Sequence, residues 1–194
     1  MAGPAELSPR ALEIVAVARQ LLERDGPEGV SMRRIAAELG IRAPSLYEHV
    51  ADKKTLENAM VSQAFTEQGD ATRAAAERAA AEGADPLDAI GNAFRDWALG
   101  HPHLYRLMTE RLDRDALQPG AELYAGSALR DAVGGDLVRA RVLWAFAHGM
   151  IMLELNDRFP PGTDPDALWA EGIAALRSHP PRDGGAGAAD GSGR

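Results

Sequence analysis

The chain has 194 residues, room for one domain or for a small domain fused to a larger one, and 45 % of them are hydrophobic, enough to bury a sizeable core. It has no cysteine, which excludes disulfides and thiolate metal sites. Its formal net charge of −8 argues at first against nucleic acid, because a phosphate backbone attracts positive charge.

In chain order, Met1 to Leu7 reads as a frayed tail. Ser8-Pro9 is a helix start, a capping hydroxyl followed by proline at the first helical position. Leu12, Val15, Ala16, Arg19 and Leu22 then recur at helical spacing, up to a stop at Asp25-Gly26-Pro27. Val30 anchors the turn into the next helix. From Ser31 to Lys54 the sequence SMRRIAAELGIRAPSLYEHVADKK predicts two short helices joined by a glycine turn. Ser31 caps the first, whose apolar face is Met32, Ile35, Ala36 and Leu39. Gly40 sits where a helix ends in a left-handed residue. Pro44 suits the first turn of the second helix, about Pro44 to Val50, which buries Leu46 and Val50.

Two short helices at such a turn form a helix-turn-helix, a motif whose second helix enters a DNA major groove, although an ordinary helical hairpin has the same outline. Charge favours the former. Ser31–Lys54 carries five basic side chains (Arg33, Arg34, Arg42, Lys53, Lys54) against three acidic (Glu38, Glu48, Asp52), a local excess of two positive charges. Residues 1–60 hold 8 basic and 9 acidic side chains and residues 61–194 hold 13 and 20, so seven of the eight excess negative charges lie outside the first segment.

Ser31, Arg33, Ile35-Ala36, Gly40-Ile41, Leu46-Tyr47, His49-Val50 and Lys53 together resemble the DNA-binding segment of the tetracycline-repressor (TetR) family. The resemblance implies that Tyr47, His49 and Lys53 grip phosphates, while Arg33, Arg42, Pro44 and Ser45 lie where the family reads base edges or packs on thymine methyls. Ser31 and Arg34 complete the expected DNA-binding set. Arg42 departs from the small or polar residue common at that position, so base recognition is expected to rest on Arg33 and Arg42.

Asp52 caps a fourth helix, about Lys53 to Gln68, with Leu56, Met60 and Ala64 inward. Lys53 and Lys54 at its amino end make a natural phosphate site. Residues 69–84 are alanine-rich, either an extension of that helix or a link. Asp85-Pro86 starts a helix with Leu87, Ile90, Phe94 and Trp97 on one stripe, and His101-Pro102 breaks and restarts the chain. Residues 113–120 read as a polar loop and 121–133 as one helix. Asp136 opens the most hydrophobic helix, Leu137 to about Phe159, apolar nearly all round and so needing cover on several sides. A last helix, about Asp166 to Arg177, points Leu168, Trp169, Ile173 and Leu176 inward. Residues after Pro180 contain no core-forming side chain and are expected to be disordered. No segment alternates as a strand does, so the fold class is all-α.

The organisation expected is a helix-turn-helix domain at 8–54 (motif 31–50), a ligand-binding and dimerisation domain at 55–179 and a tail at 180–194. HPHLYRLM and WAFAHGMIMLEL resemble the family's Trp-His-Gly (WHG) effector class, carried here by Trp144, His148 and Gly149. This implies a homodimer, a double-stranded DNA operator and a small-molecule effector. The candidate pocket residues are Trp97, Tyr105, Met108, Trp144, Phe146, His148 and Met150, each also suited to plain core, and they favour an apolar or amphipathic ligand.

Of the three histidines that could hold a metal, His101 and His103 flank a proline and diverge from each other, so no metal site is expected. Glu154 is either a buried acid or one member of a pair. No HExxH, GxSxG, P-loop or GxGxxG occurs, so neither catalysis nor a cofactor is expected. With no apolar leader and no run of about 18 apolar residues, the chain is expected in the cytoplasm and away from membranes. The competing reading is a helical small-molecule-binding or adaptor protein that does not use DNA.

Overall fold

Every described element is a helix, and no strand occurs among the described residues, which in this computed structural model are 7–110 and 113–177. The disorder expected for 180–194 concerns residues outside that range. The helices are α1 Pro9–Asp25, α2 Met32–Glu38, α3 Ala43–Tyr47, α4 Lys53–Glu82, α5 Pro86–Gly100, α6 Pro102–Glu110, α7 Ala121–Ala125, α8 Ser127–Ala132, α9 Leu137–Leu155 and α10 Pro165–Arg177.

Side-chain caps fix most of the starts. Ser8 accepts from the Ala11 N–H, Ser31 from Arg34, Asp52 from Thr55, Asp85 from Leu87 and Asp136 from Val138 and Arg139. Each satisfies an N–H that the helix itself leaves unpaired. Gly40 is left-handed (φ 65°), and the Ile41 N–H reaches back to the Ala36 carbonyl, which closes α2 and turns the chain into α3. α3 starts one residue before the predicted Pro44. It ends in a tightened turn in which the Leu46 carbonyl accepts from both His49 and Val50.

α4 is one continuous helix of 30 residues, about 45 Å long, so the alanine-rich stretch is an extension and not a link. It runs from the first three helices into the body, packing on α1 at one end and on α5, α6, α7 and α8 further along. Within it, Gly69 is a point of close approach. A Cβ there would lie 2.6 Å from the Tyr124 ring and 3.3 Å from the Ala125 Cα. Alanine in a helix interior normally gains about 1 kcal/mol over glycine. At this position Gly69→Ala is expected to cost a net ~1–2 kcal/mol through overpacking. A lower urea midpoint at unchanged slope is the expected observation, and a higher midpoint would mean that α7 yields freely.

The structure corrects several sequence expectations. In α1 the buried stripe is Ala11, Ile14, Val15, Ala18, Leu21 and Leu22, while Leu12 is exposed. The stripe is turned because α2, α4 and α6 all approach that side, and Arg19 is drawn to Glu67 of α4. The single helix predicted at 121–133 is broken at Gly126, where the Ser127 hydroxyl donates to the Tyr124 carbonyl at 2.7 Å. The loop at 113–120 contains a short 3-10 turn, Arg114–Ala116. α9 stops at Leu155, short of Phe159. Arg106 of α6 donates there to the Leu155 carbonyl and the Asn156 side chain, a cation at the negative end of the helix. On α10, Trp169 and Ile173 turn inward, with the Trp169 indole N–H donating to Asn92 at 3.0 Å. Leu168, one step round, is exposed.

One core cluster runs without a break from Ile14, Leu21, Ile35, Leu46 and Leu56 to Leu104, Tyr105, Met150 and Ile151. The head helices and the body therefore share packing. Leu87, Val133 and Leu143 form a smaller cluster.

Candidate nucleic-acid interface and interior cavity

α1, α2 and α3 form a three-helix head. Its buried Ile35, Ala36, Leu46 and Val50 fix how α2 and α3 present their outer sides. Arg33, Arg42, Pro44, Tyr47 and His49 are exposed there, and Ser31, Arg34 and Ser45 are half-buried. Ser31 is occupied as the cap of α2. The Arg34 guanidinium pairs with Asp25 of α1, and Arg24 reaches both Asp25 and Glu38 at 3.1 Å. Hydrogen bonding from Arg24 holds the Asp25 carboxyl below its ordinary range. Arg34 thus clamps α1 to α2. Arg33 and Arg42 meet no acceptor among the described residues, which leaves both guanidinium groups facing solvent.

At the start of α4, Lys53 stands 3.6 Å from Glu57 and Lys54 2.6 Å from Asp113. The Asp52 cap is held below the ordinary carboxylate range chiefly by its bond from the Thr55 N–H. Of the nine sequence-predicted residues, the head therefore presents Arg33, Arg42, Pro44, Tyr47, His49 and Lys53 on its outside. Ser31, Arg34 and Ser45 sit closer to the fold.

Beneath the head, helices α4 to α10 enclose a partly open cavity of about 1010 Å³. Of the candidate pocket residues, Tyr105, Met108, Trp144 and His148 line it. Trp97, Phe146 and Met150 do not. Trp97 is buried and stacks on His101 at 4.9 Å, Phe146 lies against Trp169 at 5.8 Å, and Met150 belongs to the core. The wall also contains Phe65, Gln68, Thr72, Phe94 and Leu143, which the sequence reading missed. Gln68 and Thr72, buried polar residues four apart on one helix, are the one sequence signal that could have found it.

The Tyr105 hydroxyl and His148 Nδ1 are 2.8 Å apart, and Trp144 stacks on the His148 ring at 5.5 Å. Burial raises the Tyr105 phenol and lowers the His148 imidazole, which favours the uncharged form of each. Glu154 is engaged by Arg95 through two hydrogen bonds, 2.7 and 2.8 Å. His101 Nδ1 lies against the Trp97 carbonyl, so the three histidines have separate surroundings.

Beside the shared core, three polar contacts among the described residues tie head to body, none of them read from the sequence. Glu23 of α1 accepts from the His103 and Leu104 N–H groups that open α6, at 3.4 and 2.9 Å. Arg19 pairs with Glu67, and Lys54 with Asp113. α6 is thus held by the head at its first turn and lines the cavity with Tyr105 and Met108. No helix of the described residues is long and apolar enough to cross a membrane.

Residues 14–60 match the N-terminal domain of bacterial regulatory proteins of the tetR family, and residues 87–176 match a tetracyclin repressor-like C-terminal domain. The HTH-type transcriptional regulator Rv1816 of Mycobacterium tuberculosis is 30 % identical over 97 residues, 50 % of this chain and 42 % of that protein. The match thus spans less than half of that relative's length. The class E tetracycline repressor protein of Escherichia coli is 42 % identical over 53 residues, 27 % of this chain and 25 % of that one. Among solved structures, the multidrug binding protein EbrR, complexed with imidazole, shares the fold. Its TM-score is 0.67 at 24 % identity, covering 87 % of this chain and 95 % of that one. The chain belongs to the tetracycline-repressor family of regulators, with that family's N-terminal domain ahead of a tetracycline repressor-like C-terminal domain.

Proposed function

We propose that the protein is a cytoplasmic, ligand-responsive repressor, not an enzyme, that binds a palindromic DNA operator as a homodimer. The observation that carries this reading is the pair of unengaged guanidinium groups, Arg33 and Arg42, on a helix-turn-helix whose Arg34 and Glu38 are engaged by Asp25 and Arg24 of α1. Arginine at that place can bond guanine O6 and N7 together. Pro44 and Ser45 add van der Waals and hydroxyl contacts, and Tyr47, His49 and Lys53 hold phosphates, which position the head without reading sequence. The working division is a DNA-binding head at 8–54 and an effector and dimerisation body at 55–179, with the body in the Trp-His-Gly class on account of Trp144, His148 and Gly149.

A stripe on the outside of α9 supports the dimer. Val138, Val142 and Leu153 are exposed there, with Leu168 exposed on α10. Gly149 lies between Val142 and Leu153, and nothing stands within 4 Å of where its Cβ would be. The same face on a second copy covers this stripe in a four-helix bundle, and the two heads then address half-sites about one DNA turn apart.

Regulation follows from linkage. A ligand that fits the cavity better in one arrangement of α6 shifts α1 through Glu23, changes the spacing of the heads and lowers DNA affinity. Selection from a randomised duplex pool by the purified protein, at about 150 mM salt where non-specific binding is weak, tests the reading. An inverted repeat is the expected product. A pool that stays random, from protein shown by mass spectrometry to be ligand-free, would leave the helical binding-protein alternative in its place.

A further inference from the structure

The charge around the cavity runs against that of the body. Residues 61–194 hold 13 basic and 20 acidic side chains, yet the cavity lining holds three arginines, Arg114, Arg130 and Arg141, and one carboxylate, Glu122. Glu122 is occupied, since Arg114 donates to both of its oxygens at 2.8 and 3.0 Å. Arg130 leans on the neighbouring Asp131 at 3.2 Å. Arg141 meets no acceptor among the described residues. Among the described residues of the lining, a cationic ligand finds no free carboxylate, whereas an anion finds a free guanidinium.

Further along the wall, Tyr105 and His148 form a polar pair. Tyr105 is 1 % exposed, and the one partner of its hydroxyl among the described residues is His148 Nδ1. That bond holds the His148 ring in the cavity wall. Arg141, Trp144 and His148 follow one another at i, i+3 and i+7 on the same face of α9, so the Cα atoms of Arg141 and His148 are about 10 Å apart along the helix axis. Trp144 lies between them with 51 % of its surface open.

We infer that the cavity takes an anionic amphiphile, a carboxylate with an apolar body, its head on Arg141 and its body along Trp144 toward His148. This deepens the effector-site reading and rests on it. The test uses dodecanoate and dodecyltrimethylammonium below their micelle concentrations, with binding followed by quenching of tryptophan fluorescence in the full chain. Dodecanoate is expected to bind about tenfold more tightly than the cation, the size of one hydrogen bond to a charged partner. Arg141→Gln, an exposed position whose change leaves the core alone, is expected to remove that preference and leave the cation's affinity unchanged. Equal or tighter binding of the cation, no binding of dodecanoate, or a preference that survives in Arg141→Gln would each overturn the inference. DNA affinity measured on the same samples separates the two readings. Intact operator binding without dodecanoate binding refutes the ligand class alone, and dodecanoate binding without DNA binding refutes the regulator alone.

Discussion

Arg33→Ala and Arg42→Ala should each weaken binding to the selected operator by roughly 5- to 150-fold, the loss that accompanies one bidentate arginine–guanine contact. Both guanidinium groups are exposed and unengaged, so truncation removes nothing the fold depends on. Each change should also relax base preference at one position of each half-site. Two comparisons in the same titration isolate the cause. Lys53→Ala should lower affinity across all sequences and reduce the salt slope by about one, as a phosphate contact does. Arg34→Ala breaks the clamp on Asp25 and should show first in the melting of the head. If Arg42→Ala kept both affinity and base preference, base reading through the turn would be wrong.

The largest stability effect should come from Glu154→Ala. Arg95 and Glu154 are only 13 % and 14 % exposed as side chains, and their two hydrogen bonds join α5 to α9. Asp166 of α10 meets the same guanidinium at 2.7 Å, and Arg95 lies over the Trp169 ring at 5.2 Å. One arginine therefore holds three helices. Without Glu154 the guanidinium keeps only the solvent-exposed Asp166 as an ionic partner. We expect a loss of about 2–4 kcal/mol, somewhat under the cost of orphaning a fully buried charge. Arg95→Met with Glu154→Leu should cost less than Glu154→Ala alone, because the pair itself contributes less than its breakage removes. Urea unfolding monitored by helix signal measures both. A loss under about 0.5 kcal/mol for Glu154→Ala would place the pair with screened surface bridges.

Much of the fold could be read from residues that act locally. Ser8, Ser31, Asp52, Asp85 and Asp136 cap as their chemistry demands, and Gly40 turns the chain where only a short-range constraint operates. What the sequence hid depends on neighbours distant in the chain. Leu12 and Leu168 are as apolar as the residues beside them, and only the approach of other helices decides which side is inward. The true end of α9 is set by Arg106, which arrives from another helix.

The candidate sites divide in the same way. The head residues were legible because a helix-turn-helix fixes outward positions by spacing alone, although the engagement of Arg34 by Asp25 was not. The cavity was half legible. α9 is apolar nearly all round, so little in its sequence says that Trp144 and His148 face the cavity while Phe146 packs on Trp169 and Met150 joins the core. Glu23 at the start of α6 lies 80 residues from His103, a separation that no local pattern crosses.

The regulator reading requires that two copies of the chain read one two-fold DNA site through Arg33 and Arg42. Its most direct test is a titration of the purified protein on the selected duplex and on a scrambled duplex at about 150 mM salt, with stoichiometry measured by sedimentation. Two chains per inverted repeat are expected, with half-sites about one turn apart and affinity at least ~10³-fold above the scrambled duplex. Equal affinity for both duplexes, or a single chain on each site, would contradict it.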